Sequence, residues 1–325
     1  MTMRYIRRIA ALALVCALAL GLSGCGEDER YDAQIFAMDT VMSLTAYGSS
    51  GEAGLTAAQN VINALDLMLD PEREGSAVYN INHASGSGTS ITGQISEMLS
   101  VAETVYERSG GALDLTVYPL VKAWGFIDGQ YRVPSEAEIT SLLNNVGFDK
   151  VRVTSMSDTD TSLLTLPTGT ELSFASVAKG CAAKYAIQAM ASEGVESAII
   201  SLGGNVQTLG LRPDGSNWSV AIQDPENTNS YAGILSVGET AVVTSGGYQR
   251  YFVASDGTRQ PGGERLAQRH HRLRRRHNGR RALQRAVHTG RGRGQGLLRG
   301  VHGLRDGARH RRRAHAGIRR TDRRL

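Results

Sequence analysis

The sequence predicts an α+β fold built as one mixed domain, and three observations carry that reading. Stretches with apolar residues at helical spacing are interspersed with short runs of alternating apolar and polar residues, without the strict strand–helix alternation of a parallel sheet. Glycine clusters punctuate the joints between them. Once an apolar N-terminus and an arginine-rich C-terminus are set aside, roughly 230 residues remain, enough for one domain with its own core.

In chain order, "AQIFAMDTVMSLTAYG" alternates and ends at a Gly-Ser cluster, as a strand does. "EAGLTAAQNVINALDLMLD" has helical periodicity and stops at Pro71. "ITGQISEMLSVAETVYERSGG" is a second helix, with Gly110 and Gly111 in a C-cap role. "AEITSLLNNVG" is a short helix and "KVRVTS" a strand. "VAKGCAAKYAIQAMASEG" is a longer helix, followed by "SAIISLGGNVQTLG", a strand running into a glycine turn. "NWSVAIQDP" and "ETAVVTSGGYQRYFV" are strands again.

The first 24 residues read as a targeting segment. Arg4, Arg7 and Arg8 precede the apolar "IAALALVCALALGL", too short to span a bilayer comfortably. "LSGC" then resembles the lipobox of a bacterial lipoprotein, which implies cleavage before Cys25, lipid on its sulfur, and an anchor on the extracytoplasmic face of the cell membrane. Residues 25–34, with "GEDERYD", read as a polar tether. Cys16 goes with the leader, so Cys181 is the one cysteine of the body and is read as a small core residue.

The net charge of +5 conceals two opposite parts. From Arg259 to Leu325 there are 22 Arg, no Lys and three acids, while residues 1–258 hold 14 basic and 28 acidic residues. The domain, residues 35–258, is therefore acidic and not a nucleic-acid binder. The tail at 259–325 cannot bury a core and is expected to be disordered. A basic phosphate-binding arm is its rival reading, set against the absence of lysine and of aromatic residues.

Several stretches in order, "MDTVMSLTAYG", "SGGALDLTVYPLVKAWGF", "VAKGCAAKYA", "SLGGNVQTLG", "DPEN" and "VVTSGGYQRYF", resemble the ApbE-like flavin transferases, the FAD:protein FMN transferases. The likeness covers about Met38 to Val253. It implies a single mixed domain of flavin-transferase type and a Mg²⁺-dependent reaction. In that reaction a threonine hydroxyl of a target flavoprotein attacks the FMN phosphorus of bound FAD, AMP leaves, and FMN stays on the target as a phosphoester.

The resemblance implies the site as well. Met38 matches the position that packs on the flavin, and Ala112, Leu113 and Asp114 match the segment that holds the adenosine part of FAD. Lys179 matches a phosphate ligand; a lysine beside a helix N-terminus suits that role on elementary grounds. Ser176 matches a position that gives the metal an oxygen. The aspartate that the family places six residues before the lysine is Ser173 here, a hydroxyl without charge. Gly203, Gly204 and Asn205 form one turn, and Thr244, Ser245 and Tyr248 a second polar turn beside the expected cleft.

Beyond "RYF" the family continues with a "DPxTG" turn and an "ADALSTA" segment that completes the metal site; the arginine tail stands in their place. Read one base later, any CGN arginine codon yields Asp, Glu, Gly, Ala or Val. One back-translation of Gln268 to Thr289, shifted by one base, contains "ADALS". The tail is thus expected to be an out-of-frame product, the C-terminal part of the domain missing, and this exact chain a weak enzyme or none. The alternative function is a non-catalytic FAD-binding lipoprotein.

Overall fold

The structure is a computed structural model that describes residues 29–155, 162–224, 226–227, 229–244, 251–254, 257, 259–261 and 318–319. Its first element is a hairpin rather than one strand. β1 (Arg30–Ala37) and β2 (Thr40–Tyr47) pair antiparallel with Ala37 opposite Thr40. Only Met38 and Asp39 lie between them, at φ 48° and 62°. Positive φ at both central residues is the type I′ turn, whose twist matches that of the flanking strands. Neither residue is glycine, so the turn stores strain, roughly 1–2 kcal/mol for each L-residue held left-handed. β1 begins at Arg30, inside the stretch expected to be tether.

β2 continues the sheet through β6 (Ser197–Leu202), β7 (Asn205–Leu209) and β10 (Ala241–Val243), in the order β1-β2-β6-β7-β10. Every pairing among the described residues is antiparallel, which bears out α+β. Met42, Leu44 and Ala46 of β2 and Ala198, Ile200 and Leu202 of β6 form its buried face.

Two helices cover that face, α1 (Gly51–Leu69) and, later in the chain, α6 (Ala178–Ser192). α1 contributes Leu55, Ala58, Ile62 and Leu65, all buried. α6 contributes Ala182, Ala183 and Ala186, whose small side chains let it lie close to α1. A Cβ on Gly54 would come within 2.4 Å of Val195 Cγ2, so the packing of α1 against the segment that follows α6 requires glycine.

Between them come α2 (Ala77–His83), capped by Ser76, and β3 (Thr89–Ile91). α3 (Gly93–Arg108) is capped by Thr92. Gly110 and Gly111, at φ 65° and 78°, close α3, and the Gly111 N–H reaches back to the Tyr106 carbonyl. α4 (Tyr118–Ala123) and α5 (Glu136–Leu142) build a second, smaller core from Val117, Tyr118, Leu120, Trp124, Ile139 and Phe252. β4 (Arg152–Ser155) and β5 (Ser162–Thr165) form a small sheet with β3. β8 (Trp218–Gln223) and β9 (Tyr231–Val237) form another.

The expected strand over "ETAVVTSGGYQRYFV" is two, β10 and β11 (Tyr251–Val253). β12 (Arg259–Pro261), assigned to the tail by composition, pairs with β11, so the expected domain boundary separates two paired strands. β13 (Ile318–Arg319) pairs with β9. The rest of the tail, the leader and Cys25 lie outside the described residues.

Candidate functional site

Where α3 ends, the chain turns sharply through residues 109–117. Ser109 Oγ accepts from the N–H groups of Ala112, at 3.0 Å, and Leu113, at 3.4 Å. Asp114 follows and is buried. Its Oδ1 accepts from Thr116 N–H, at 2.9 Å, and from the Thr116 hydroxyl, at 2.6 Å; its Oδ2 accepts from Phe148 N–H at 3.2 Å. Thr116 Oγ1 in turn accepts from Gly147 N–H at 2.7 Å. The carboxylate thus ties the 114–117 loop to the 147–150 turn.

A second segment is docked onto this loop. Leu172 and Phe174 are fully buried, and the Asn82 side-chain amide holds both backbone groups of Leu172. Beside these anchors Ser173 is half-buried, and Ala175 and Ser176 are exposed. Ser173 N–H donates to the Leu115 carbonyl at 3.0 Å. Between the two segments opens a small, solvent-connected cleft of about 60 Å³, lined by Asp114, Leu115, Val117, Tyr118, Val121, Ile127, Ser173, Ala175 and Ser176. One wall is apolar and ring-bearing, the other carries hydroxyls.

The cleft wall is stiffened from behind. The buried Tyr118 hydroxyl donates to Glu72 Oε1 at 2.5 Å, and Lys122 pairs with Glu171. Burial, and then the Glu72 bond, push the Tyr118 hydroxyl above its ordinary range, so it remains a neutral donor.

The turn at Ser176 leads directly into α6, whose second residue is Lys179. Lys179 Nζ donates to the Met38 carbonyl at 3.2 Å, across 141 positions of sequence. Met38 N–H donates to Asp66 Oδ1 at 2.7 Å. Beside this turn lies the β6–β7 hairpin, with Gly203 and Gly204 at φ 60° and 92°. A Cβ on Gly203 would meet Thr40 Oγ1 at 2.7 Å. Thr244 N–H donates to the Gly204 carbonyl at 3.0 Å. Two hairpin turns, the N-terminus of α6 and Thr244 therefore gather at one end of the main sheet; Ser245 and Tyr248 lie outside the described residues.

The residues singled out from sequence thus fall into two adjoining groups. Asp114, Ser173 and Ser176 line one cleft, and Met38 contacts Lys179. The differences lie in what the groups do. The N–H groups of Ala112 and Leu113 go to Ser109, and the Asp114 carboxylate is engaged by three protein donors. Cys181 is half-buried, and burial pushes its thiol to about 11, as a core cysteine rather than a nucleophile. Sequence reasoning missed Asp66, Tyr118 and Val121. "TVYPLVKAWGF" was read as a family stretch, and its all-round apolar character could have marked a buried wall.

The sequence model described as the ApbE family matches residues 38–276, nearly three quarters of the chain. The chain belongs to the ApbE family. Among curated ApbE-type relatives, the FAD:protein FMN transferase of Treponema pallidum is 29% identical over 266 residues, covering 76% of this chain and 73% of its own. The FAD:protein FMN transferase of Escherichia coli K12 is 27% identical over 198 residues, and the match spans 60% of this chain and 56% of that protein. Among solved ApbE structures, the Thermotoga maritima ApbE protein superposes with a TM-score of 0.65 at 26% identity, covering 71% of this chain and 74% of that one. The apo form of Pseudomonas stutzeri flavinyl transferase ApbE gives 0.62 at 26% identity, covering 75% and 77%.

The described donors do not match the metal that the resemblance implies. Among the described residues no cluster of three His, Cys, Asp or Glu side chains is placed to hold an ion. The cleft offers two serine hydroxyls and a carboxylate already accepting three hydrogen bonds, which does not amount to a Mg²⁺ site.

Proposed function

We propose that this protein binds FAD and transfers its FMN moiety to a hydroxyl, that of a threonine, on an acceptor flavoprotein. One observation carries the reading: in a chain of the ApbE family, Asp114, Ser173 and Ser176 line one cleft, and the turn from Ser176 leads straight to the Lys179–Met38 contact. The apolar wall of Val117, Tyr118 and Val121 suits a ring system. The hydroxyl wall and the N-terminus of α6, with the Lys179 ammonium, suit a pyrophosphate.

In the transfer, the acceptor oxygen bonds to the FMN phosphorus as the pyrophosphate P–O bond breaks. AMP leaves with that electron pair, and the hydroxyl proton passes to solvent water. Lys179 and the α6 N–H groups would offset phosphate charge, and the cleft walls would fix the pyrophosphate for in-line approach. Mg²⁺ belongs to the reading only through the resemblance, with Ser176 as one oxygen donor, and no step here runs through it.

The test is a purified chain incubated with FAD and a threonine-bearing acceptor. Flavin fluorescence on the denatured acceptor, with AMP released in equal amount, is the expected result. FAD binding without covalent transfer would favour the non-catalytic reading. We read the tail at residues 259–325 as an out-of-frame continuation, so that reading also predicts faster transfer from a frame-corrected chain; equal rates would remove it. A lipid anchor at Cys25 completes the proposal: Cys25→Ser should move the protein from the membrane to the soluble fraction, and an unchanged partition would defeat it.

A further inference from the structure

Two charged side chains in this fold are placed against the electrostatics of their own helices. Asp66 sits in the last turn of α1, where the helix dipole favours cations, and that turn contains no basic residue. Lys179 sits in the first turn of α6, where the dipole favours anions, and that turn contains no acidic residue. Both reach the same residue. Asp66 Oδ1 accepts the Met38 N–H at 2.7 Å, and Lys179 Nζ donates to the Met38 carbonyl at 3.2 Å. Met38 is held at φ 48°, a conformation that a methionine adopts rarely and only when its surroundings enforce it. Local rules are broken at two helix ends, and the two breaches converge on one strained backbone.

We propose that Asp66 is a positioning residue of the flavin-nucleotide site. By accepting the Met38 N–H it fixes the Met38–Asp39 turn, and with it the place where Met38 and Lys179 meet the bound FAD. The assignment deepens the FMN-transferase reading and rests on it for the identity of the ligand, but the brace itself is a property of the apoprotein. Lys179 alone cannot hold the turn, because a phosphate arriving at its ammonium competes with the Met38 carbonyl. Asp66 grips the N–H on the opposite side of the same residue, and its carboxylate repels an arriving phosphate rather than pairing with it, so the ligand does not draw it away. The turn then keeps its shape as Lys179 changes partner.

The test compares Asp66→Ala, Asp66→Asn and Asp66→Glu in the full chain, with two readouts. Hydrogen–deuterium exchange of the peptide spanning residues 36–42 reads the brace without any ligand. Titration with FAD, followed by flavin fluorescence, reads its consequence. Exchange should rise in Asp66→Ala and stay near wild type in Asp66→Asn, which keeps an acceptor oxygen. FAD affinity should fall about tenfold or more in Asp66→Ala, the scale expected for losing a hydrogen bond to a charged group, and by much less in Asp66→Asn. Asp66→Glu keeps the charge but moves the acceptor by one methylene, and serves where Asp66→Ala does not fold; it should show intermediate exchange and affinity. In transfer assays KM for FAD should rise more than kcat falls. Unchanged exchange in both Asp66→Ala and Asp66→Glu overturns the brace, whatever FAD does. Faster exchange with unaltered FAD affinity overturns the positioning role. A wild-type chain that binds no FAD refutes the functional reading instead, and exchange alone then decides the brace.

Discussion

The Met38 turn and the Asp114 loop stand at opposite ends of the Ser173–Lys179 segment and are held in opposite ways. At Met38 the backbone is strained and its two polar groups are gripped by side chains from distant helices. At Asp114 the backbone needs no strain, because one buried carboxylate collects donors from two loops and organises them. The difference separates two kinds of site residue. Lys179 is half-buried, at a helix N-terminus beside the cleft, and a ligand can reach it. Asp114 is 3% exposed and serves the scaffold even though it lines the cleft.

Breaking Asp114 should therefore have the largest effect. Asp114→Ala leaves the Thr116 N–H, the Thr116 hydroxyl and the Phe148 N–H without their acceptor in a dry loop. With about 1–3 kcal/mol lost for each stranded buried group, the total is on the order of 3–9 kcal/mol, or roughly 10–20 °C in melting temperature. Asp114→Asn keeps one acceptor oxygen and should lose about half of that. Sequence reasoning places Asp114 at the ligand. Thermal melting of the apoprotein decides: a melt unchanged in Asp114→Ala would restore the pure ligand role.

Lys179→Ala comes next and should show the converse pattern. Its long bond to the Met38 carbonyl contributes little to stability, so melting should move by less than about 1 kcal/mol equivalent. The lost charge at the pyrophosphate should weaken FAD roughly 10- to 100-fold. Equal damage to stability and affinity in this variant would erase the contrast between the two regions.

The helices flanking this site were legible in the sequence, and the turns that make it were less so. α1, α3 and α6 announce themselves by periodicity, by Pro71 and by Gly110–Gly111, all local signals. The β1–β2 turn does not. "AMDTV" lacks the Asn-Gly or Asp-Gly pair that normally marks a type I′ hairpin, and its shape is imposed by Asp66 and Lys179 from 28 and 141 residues away. α4 was invisible because Tyr118, Pro119, Leu120 and Val121 are all buried and leave no polar face to set a period. Asp114 has a second, local signature. Its Asp-x-Thr spacing is a local capping pattern, as readable as the family likeness, and it accounts for the partners that the carboxylate has.

The smallest effect belongs to the third tie on α6, which serves as a control because it anchors the same helix away from the cleft. Glu97 on α3 pairs with Lys184 and accepts from the Tyr185 hydroxyl. The Lys184 bond, then the Tyr185 bond, hold the Glu97 carboxyl below its ordinary value. The Glu97 bond is also the main reason that the Tyr185 hydroxyl is pushed up to about 12. Because the folded value of Glu97 is lowered, its contribution is present above the unfolded carboxylate value, near pH 4.3, and is lost as pH falls through the folded value. The side chains of Lys184 and Glu97 are 46% and 37% exposed, so solvent and salt screen the pair. Glu97→Gln should cost less than about 1 kcal/mol at pH 7, shrink further in 1 M salt, and become indistinguishable from wild type in acid. FAD affinity should not change, since neither the turn nor the cleft depends on this tie. A Glu97→Gln chain that melts normally yet binds FAD poorly would show that α6 carries its position from one end to the other, and that the two regions are a single coupled site.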